Sequence, residues 1–159
     1  MNHPTLNLPP ITANTRMNPT THVEEIFDSQ RRKYVRLTPE EWVRQHFVSY
    51  LVTQLGYPQG RLQNEVAIRV GNMEKRCDTV VFNQFGKPAL IVEYKAPTVR
   101  LSQMVFDQIV RYNYALRVQY LMVSNGIQHY CCRLNPETNR FEFLQELPRW
   151  EQIEGQLQP

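Results

Sequence analysis

Residues 77–97, CDTVVFNQFGKPALIVEYKAP, read as two apolar strands joined by a Gly-containing turn, NQFGKP. Asp78 begins the first strand, and Glu93 and Lys95 interrupt the end of the second, where a buried sheet favours Val and Ile. Side chains alternate along a strand, so Glu93 and Lys95 share a face, roughly 7 Å apart, while Val92 and Tyr94 point the other way. The short turn lets Asp78 come alongside Glu93 near one end of the hairpin. Three ionisable groups then converge on one edge of an apolar sheet. Burying them unpaired is costly, and two adjacent carboxylates raise the pKa of one of them. A divalent cation resolves both problems. Oxygen ligands suit Mg²⁺, which takes one or two protein carboxylates and completes its shell with water and substrate phosphate. An adjacent lysine can orient water or offset developing negative charge, and the set suits phosphodiester hydrolysis. The plainer alternative is a Glu93–Lys95 ion pair at a strand end, with Asp78 solvated.

Upstream, LTPEEWVRQHFVSYLVTQLGY predicts a helix. Thr38 is a good N-cap, Pro39 sits at the first helical position, and Glu40 and Glu41 suit the positive end of the dipole. Glu41 also occupies the capping-box position. Val43, Phe47, Leu51 and Leu55 make the buried stripe, and Gly56 stops the helix. Val66, Ile68 and Val70 alternate with Ala67 and Arg69 as a half-buried strand, with Glu65 before it, where NE could equally form a turn. Next come the turn GNME, the strand RCDTVVF and the strand PALIVEYKA, an antiparallel meander by connection length. Downstream, RLSQMVFDQIVRYNYALR has helical spacing, with Leu101, Val105, Ile109, Tyr112 or Asn113, and Leu116 on one stripe. VQYLMVSN, IQHYCCRL and a short RFEFL complete the pattern as strands. The fold class is α/β: a mixed central sheet, an antiparallel three-stranded meander plus further strands, flanked by helices in the order αβββαβ.

The 159 residues suit one domain. Residues 1–26, rich in Pro, Asn and Thr, read as an irregular or partly ordered N-terminal arm; 27–147 form the single domain; 148–159 form a polar C-terminal tail. No apolar run reaches the roughly 20 residues that span a bilayer, and the N-terminus has no secretory pattern, so the expected location is cytoplasmic. Cys77, Cys131 and Cys132 fit neither a disulfide framework nor a zinc motif and read as small core residues. A net charge of +3 permits a nucleic-acid partner without requiring one, and the cluster RRKYVR at 31–36 reads as a solvated segment. His46 and His129 have no second ligand at metal spacing and read as partly buried polar residues. There is no GxxxxGK[ST] loop, hence no ATP motor.

Asp78, fourteen residues, then Glu93-Tyr94-Lys95 after an apolar run resembles the D…ExK form of the PD-(D/E)XK nuclease superfamily, with Cys77 in place of the usual Pro before the Asp. LTPEEWVRQHFVSYLVTQLGYP, RCDTVVF, LIVEYKAP, LSQMVFDQIVRYNYAL and YLMVSNG, in that order, resemble the N-terminal nuclease domain of type I restriction enzyme R subunits, from about Phe27 to about Cys132. The resemblance implies a restriction-endonuclease-like core and a Mg²⁺-dependent endonuclease acting on DNA, with Mn²⁺ as a possible substitute. It makes Asp78 and Glu93 the metal-holding carboxylates and Lys95 the catalytic lysine. Gln108 and Tyr112 match a Gln-xxx-Tyr element beside the DNA, and Arg111 shares their helix face. Glu41 corresponds to an acidic residue often found near the metal. Lacking a motor, such a chain is expected to act alone, with a motor or specificity subunit in trans, or as a non-catalytic DNA-binding or assembly module that retains the fold. The same fold acting on RNA or branched DNA is a third possibility.

Overall fold

The computed structural model describes residues 2–156. The Pro- and Asn-rich start is more ordered than its composition suggests. β1 (Thr15–Met17), β2 (Glu24–Asp28) and β3 (Lys33–Arg36) form a three-stranded antiparallel sheet in that order. Strands this short carry no legible periodicity, yet β2 alternates with purpose: Ile26 and Asp28 turn inward and Phe27 outward. Upstream of β1 the chain lies along the core without regular structure. The Asn7 amide donates to the Gly126 carbonyl at 2.8 Å, and Leu6 and Leu8 pack on the core. The Trp42 indole donates to the Pro4 carbonyl at 3.0 Å, with the His3 ring stacked on it at 4.5 Å.

Thr38 caps helix α1 (Pro39–Thr53), its hydroxyl accepting the Glu41 amide at 3.1 Å. Only this half of the capping box forms, because the Glu41 side chain turns away to pair with arginines. Val43, Phe47 and Leu51 are fully buried, and Gly56, at φ +75°, reverses the chain beyond the helix.

β4 (Leu62–Val70), β5 (Met73–Phe82) and β6 (Pro88–Tyr94) form the predicted antiparallel meander. Helix α2 (Gln103–Tyr114), capped by the Ser102 hydroxyl, crosses over to β7 (Tyr120–Ser124), which pairs parallel with β6. β8 (His129–Asn135) and β9 (Arg140–Phe143) return antiparallel. The result is one six-stranded sheet in chain order from β4 to β9. It has α1 on one face, packing Phe47 and Leu51 against Val81, Val92 and Met122, and α2 on the other, packing Phe106 and Ile109 against Val80, Ile91 and Leu121. The mixed, helix-flanked sheet agrees with the sequence reading. Among the described residues no helix is long and apolar enough to cross a membrane.

The polar C-terminal stretch also docks. Helix α3 (Trp150–Glu154) puts Trp150 and Ile153, three positions apart, into the core on the α1 side. The Trp150 amide donates to the Leu55 carbonyl at 2.9 Å, and its ring lies 5.4 Å from that of Tyr57. Averaged composition hides two anchors in a run of Glu and Gln. Trp150→Ala should therefore cost about 3 kcal/mol, read as a lower urea midpoint at unchanged m-value.

Candidate active site

The β5–β6 ladder ends at the pair Thr79–Val92. Continuing that register by one residue sets Asp78 directly across from Glu93, at the end of the sheet where β5 and β6 diverge. The Asp78 carboxylate accepts the Tyr94 amide at 2.9 Å, which fixes it against the end of β6. The two carboxyl groups lie within hydrogen-bonding reach of each other. Glu93 is pushed up to about 8, first by burial and then by the Asp78 carboxylate; the Asn113 amide and the Lys95 ammonium oppose the shift. Among the described residues, Glu93 Oε1 is buried and meets no hydrogen-bond donor.

Lys95 follows two positions after Glu93, half-buried, with its backbone amide bonded to the Ser124 carbonyl at 2.9 Å. Among the described residues its ammonium has no carboxylate within 4.0 Å. Asp78, Glu93 and Lys95 thus share one end of the sheet. Gln108, Arg111 and Tyr112 are exposed on α2, and Tyr112 is 46% exposed, so its ring is not a core residue. The buried stripe is completed by Asn113 instead. The Asn113 amide donates to the Ile109 carbonyl at 2.9 Å, and its own oxygen is buried without a partner among the described residues.

Glu41 is buried, and the Arg31 and Arg44 side chains both donate to it. Arg44, which the sequence reading passed over, is the hub. It reaches Glu41 at 2.6 Å and Glu65 at 2.8 Å, and it donates to the backbone carbonyl of Asp78 at 2.8 Å. Burial opposes its charge, but Glu41 and Glu65 hold its pKa above the ordinary arginine range. Glu65 is not a turn residue before the strand. It lies inside β4 with φ +55°, where the β4–β5 ladder skips a pair opposite Asp78, and its pKa is lowered by Arg44 and Arg76 against the effect of burial. A left-handed non-glycine residue in a strand is strained and persists only where its surroundings hold it; here two arginines do.

A second branch runs under the sheet. The Tyr94 hydroxyl donates to Thr79 Oγ1 at 2.9 Å, Thr79 donates to Asn64 at 2.7 Å, and the Asn64 amide donates to Asp28 at 3.2 Å. Asp28 also accepts from Arg31. Arg31 is therefore drawn out of the basic cluster into the interior, while Arg32, Lys33 and Arg36 stay exposed as expected for a solvated segment. A legible signal for Arg44 did exist. Glu41, Arg44, Val48 and Leu51 recur at spacings of 3, 4 and 3, a second inward stripe beginning with a charge pair.

Among the described residues no three His, Cys, Asp or Glu surround one point. The available donors are the two carboxylates, hard oxygen ligands of a number that Mg²⁺ accepts. The orphaned Glu93 oxygen and the unfavourable Asp78–Glu93 pairing both fit a divalent cation. His46 and His129 are bonded within the fold, to the Trp42 carbonyl at 2.8 Å and to Ser124 at 2.7 Å. A cavity of about 470 Å³ between the N-terminal arm and α1 has none of the three site residues in its lining.

The family described as type I restriction enzyme R protein N terminus matches residues 39–148. A fragment structure of an HsdR subunit of a type I restriction enzyme from Vibrio vulnificus superposes with a TM-score of 0.49 at 17% identity, covering 75% of this chain and 26% of that one. The chain thus spans about a quarter of that structure. No curated protein matches.

Two outcomes follow from the electrostatics. Folded Glu93 keeps its proton to about pH 8, whereas the unfolded chain releases it near 4.5. Its contribution to stability is complete below pH 4.5 and is lost as pH rises to about 8. Melting in chelator should fall across that window, and Glu93→Gln should flatten the fall. Arg44→Met strips buried Glu41 and half-buried Glu65 of their shared cation, and should lower the unfolding free energy by about 3 kcal/mol in urea titrations.

Proposed function

The chain belongs to the family of type I restriction enzyme R protein N termini, and from that premise we propose that it is a metal-dependent nuclease domain hydrolysing DNA phosphodiester bonds. The observation that carries this reading is the Asp78–Glu93 pair, held opposite one another at the open end of a sheet with one buried oxygen unsatisfied and a lysine alongside. A soluble structural ion pair would place Lys95 against Glu93 and leave no orphan.

In this reading Asp78 and Glu93 hold Mg²⁺, with Mn²⁺ able to substitute. A divalent cation at this point supplies Lewis-acid stabilisation of charge developing on the phosphoryl oxygens. The residues do the rest. The Tyr94 amide and Arg44 keep Asp78 in place, one through its side chain and one through its backbone. Lys95, with no carboxylate partner among the described residues, is available to orient the attacking water and to offset charge on the scissile phosphate. Gln108, Arg111 and Tyr112, exposed on α2, position the strand; phosphate contacts of this kind are salt-sensitive and read little sequence. Glu41 acts one step back, anchoring Arg44. In a restriction context such a domain would work together with motor and specificity functions, on the same chain or on other subunits.

Plasmid nicking with Mg²⁺ or Mn²⁺ tests the proposal. Asp78→Ala and Lys95→Ala should each lower the rate about 100-fold or more, the range for losing one preorganised electrostatic group. Calorimetry should show metal uptake by the wild type and none by Asp78→Ala. Cleavage undiminished by either substitution sinks the proposal. DNA binding without metal uptake or cleavage would leave a binding module that keeps the fold.

A further inference from the structure

β5 is longer than its partner on one side. Only Thr79–Phe82 pair with β6, whereas β5 pairs with β4 as far as Met73. Met73–Cys77 and Val66–Val70 therefore form a two-stranded ribbon that continues roughly 15 Å beyond the carboxylate pair. It closes in a two-residue turn, Gly71-Asn72, with Gly71 at φ +60°, a conformation tight hairpins ask of their first central residue.

The root of the ribbon is fixed. Ile68 is buried among Phe106 and Ile109, and the Lys75 ammonium sits 3.9 Å over the Tyr112 ring while donating to the Tyr112 carbonyl. The ribbon is thereby tied to the α2 face that carries Gln108 and Arg111. Among the described residues, the hydrophobics of the outer part, Val70 and Met73, belong to neither core cluster. Val70 and Met73 face each other at the tip, 39% and 38% exposed, and Arg69 and Arg76 are 75% and 69% exposed. Residues 66–77 hold three cations and one acid. The Arg69–Glu74 pair at 3.1 Å is a surface pair of little worth, readily exchanged for a phosphate. An apolar pair at the end of a ribbon adds little to folding and is an edge-pairing hazard.

We infer that the β4–β5 ribbon is a groove-engaging arm for double-stranded DNA, with Val70 and Met73 entering the groove and Arg69 meeting the flanking phosphates. The inference rests on the proposed nuclease reading and names the surface that holds the duplex beside the carboxylates. Two strands about 4.8 Å apart, with their side chains, match a major groove about 12 Å wide. A single strand has no groove, so the arm selects for duplex.

Fluorescence anisotropy with a duplex oligonucleotide and with one of its strands, in Ca²⁺ to prevent cleavage, tests the inference. Val70→Ser/Met73→Ser and Arg69→Gln should each weaken duplex binding about tenfold with single-strand binding nearly unchanged. Melting temperature and metal uptake should be unaltered. Because the native thiols Cys77, Cys131 and Cys132 are all buried, Met73→Cys offers a single exposed thiol for a photocross-linker, which should couple to duplex DNA. Equal duplex affinity of folded variants, equal losses on both DNA forms, or absence of cross-linking overturns the arm. A wild type that takes up Mg²⁺ and cleaves, with variants that bind duplex normally, removes the arm and keeps the nuclease reading. Arm-dependent duplex binding by a chain that takes up no metal does the reverse.

Discussion

The antiparallel ladder between β5 and β6 fixes where every other part of the site must stand. Its register pairs Thr79 with Val92, and the next rung places two acids across from each other beside a buried layer. Neither acid can be moved to the other face without shifting a whole strand and exchanging Val80 and Ile91, packed on the α2 side, for Val81 and Val92, packed on the α1 side. The repulsion is therefore built in by the same hydrophobic pattern that folds the sheet. What the chain adds is restraint: an amide from Tyr94 on one carboxylate, an arginine on the backbone behind it, and a lysine on the face beyond.

Arg44 explains why this end of the sheet tolerates so much charge. Alone, a buried guanidinium is costly, and so are Glu41 and Asp28. Joined through Arg31, Arg44 and Asn64, each charge has partners on several sides, and the network connects the small N-terminal sheet to α1, β4 and β5. Glu65, held left-handed by two arginines, marks where β4 departs from regular pairing. Cys77 and Thr79 flank Asp78 and would share a face under strict alternation, yet Cys77 packs on the α2 side while Thr79 joins the polar chain leading to Asp28. The ladder turns at Asp78, the residue that the site needs turned.

Much of this was legible in the chain. The N-cap at Thr38, the stripe Val43-Phe47-Leu51, the meander and the Asp78–Glu93 approach follow from period, turn chemistry and connection length. Residues whose roles depend on distant partners were harder to read. Glu41 looked like a capping residue because its arginine partners lie 10 positions upstream and one turn downstream. Asn113 could not be separated from Tyr112 by periodicity, since adjacent positions straddle the edge of a helical stripe. The strands in residues 15–28 are too short to show a period, and Trp150 and Ile153 are outvoted by polar neighbours.

The two tryptophans sit where the chain's outlying segments touch the core. Trp42 lies beneath the N-terminal arm, bonded to Pro4 and overlaid by His3, while Trp150 is sealed beside Tyr57 at the far end of α1. Their emission is consequently addressable by position. Replacing either one with phenylalanine would leave a single tryptophan, excited selectively beyond the tyrosine absorption, reporting detachment of the leading segment in one case and of the closing helix in the other, with no dye attached.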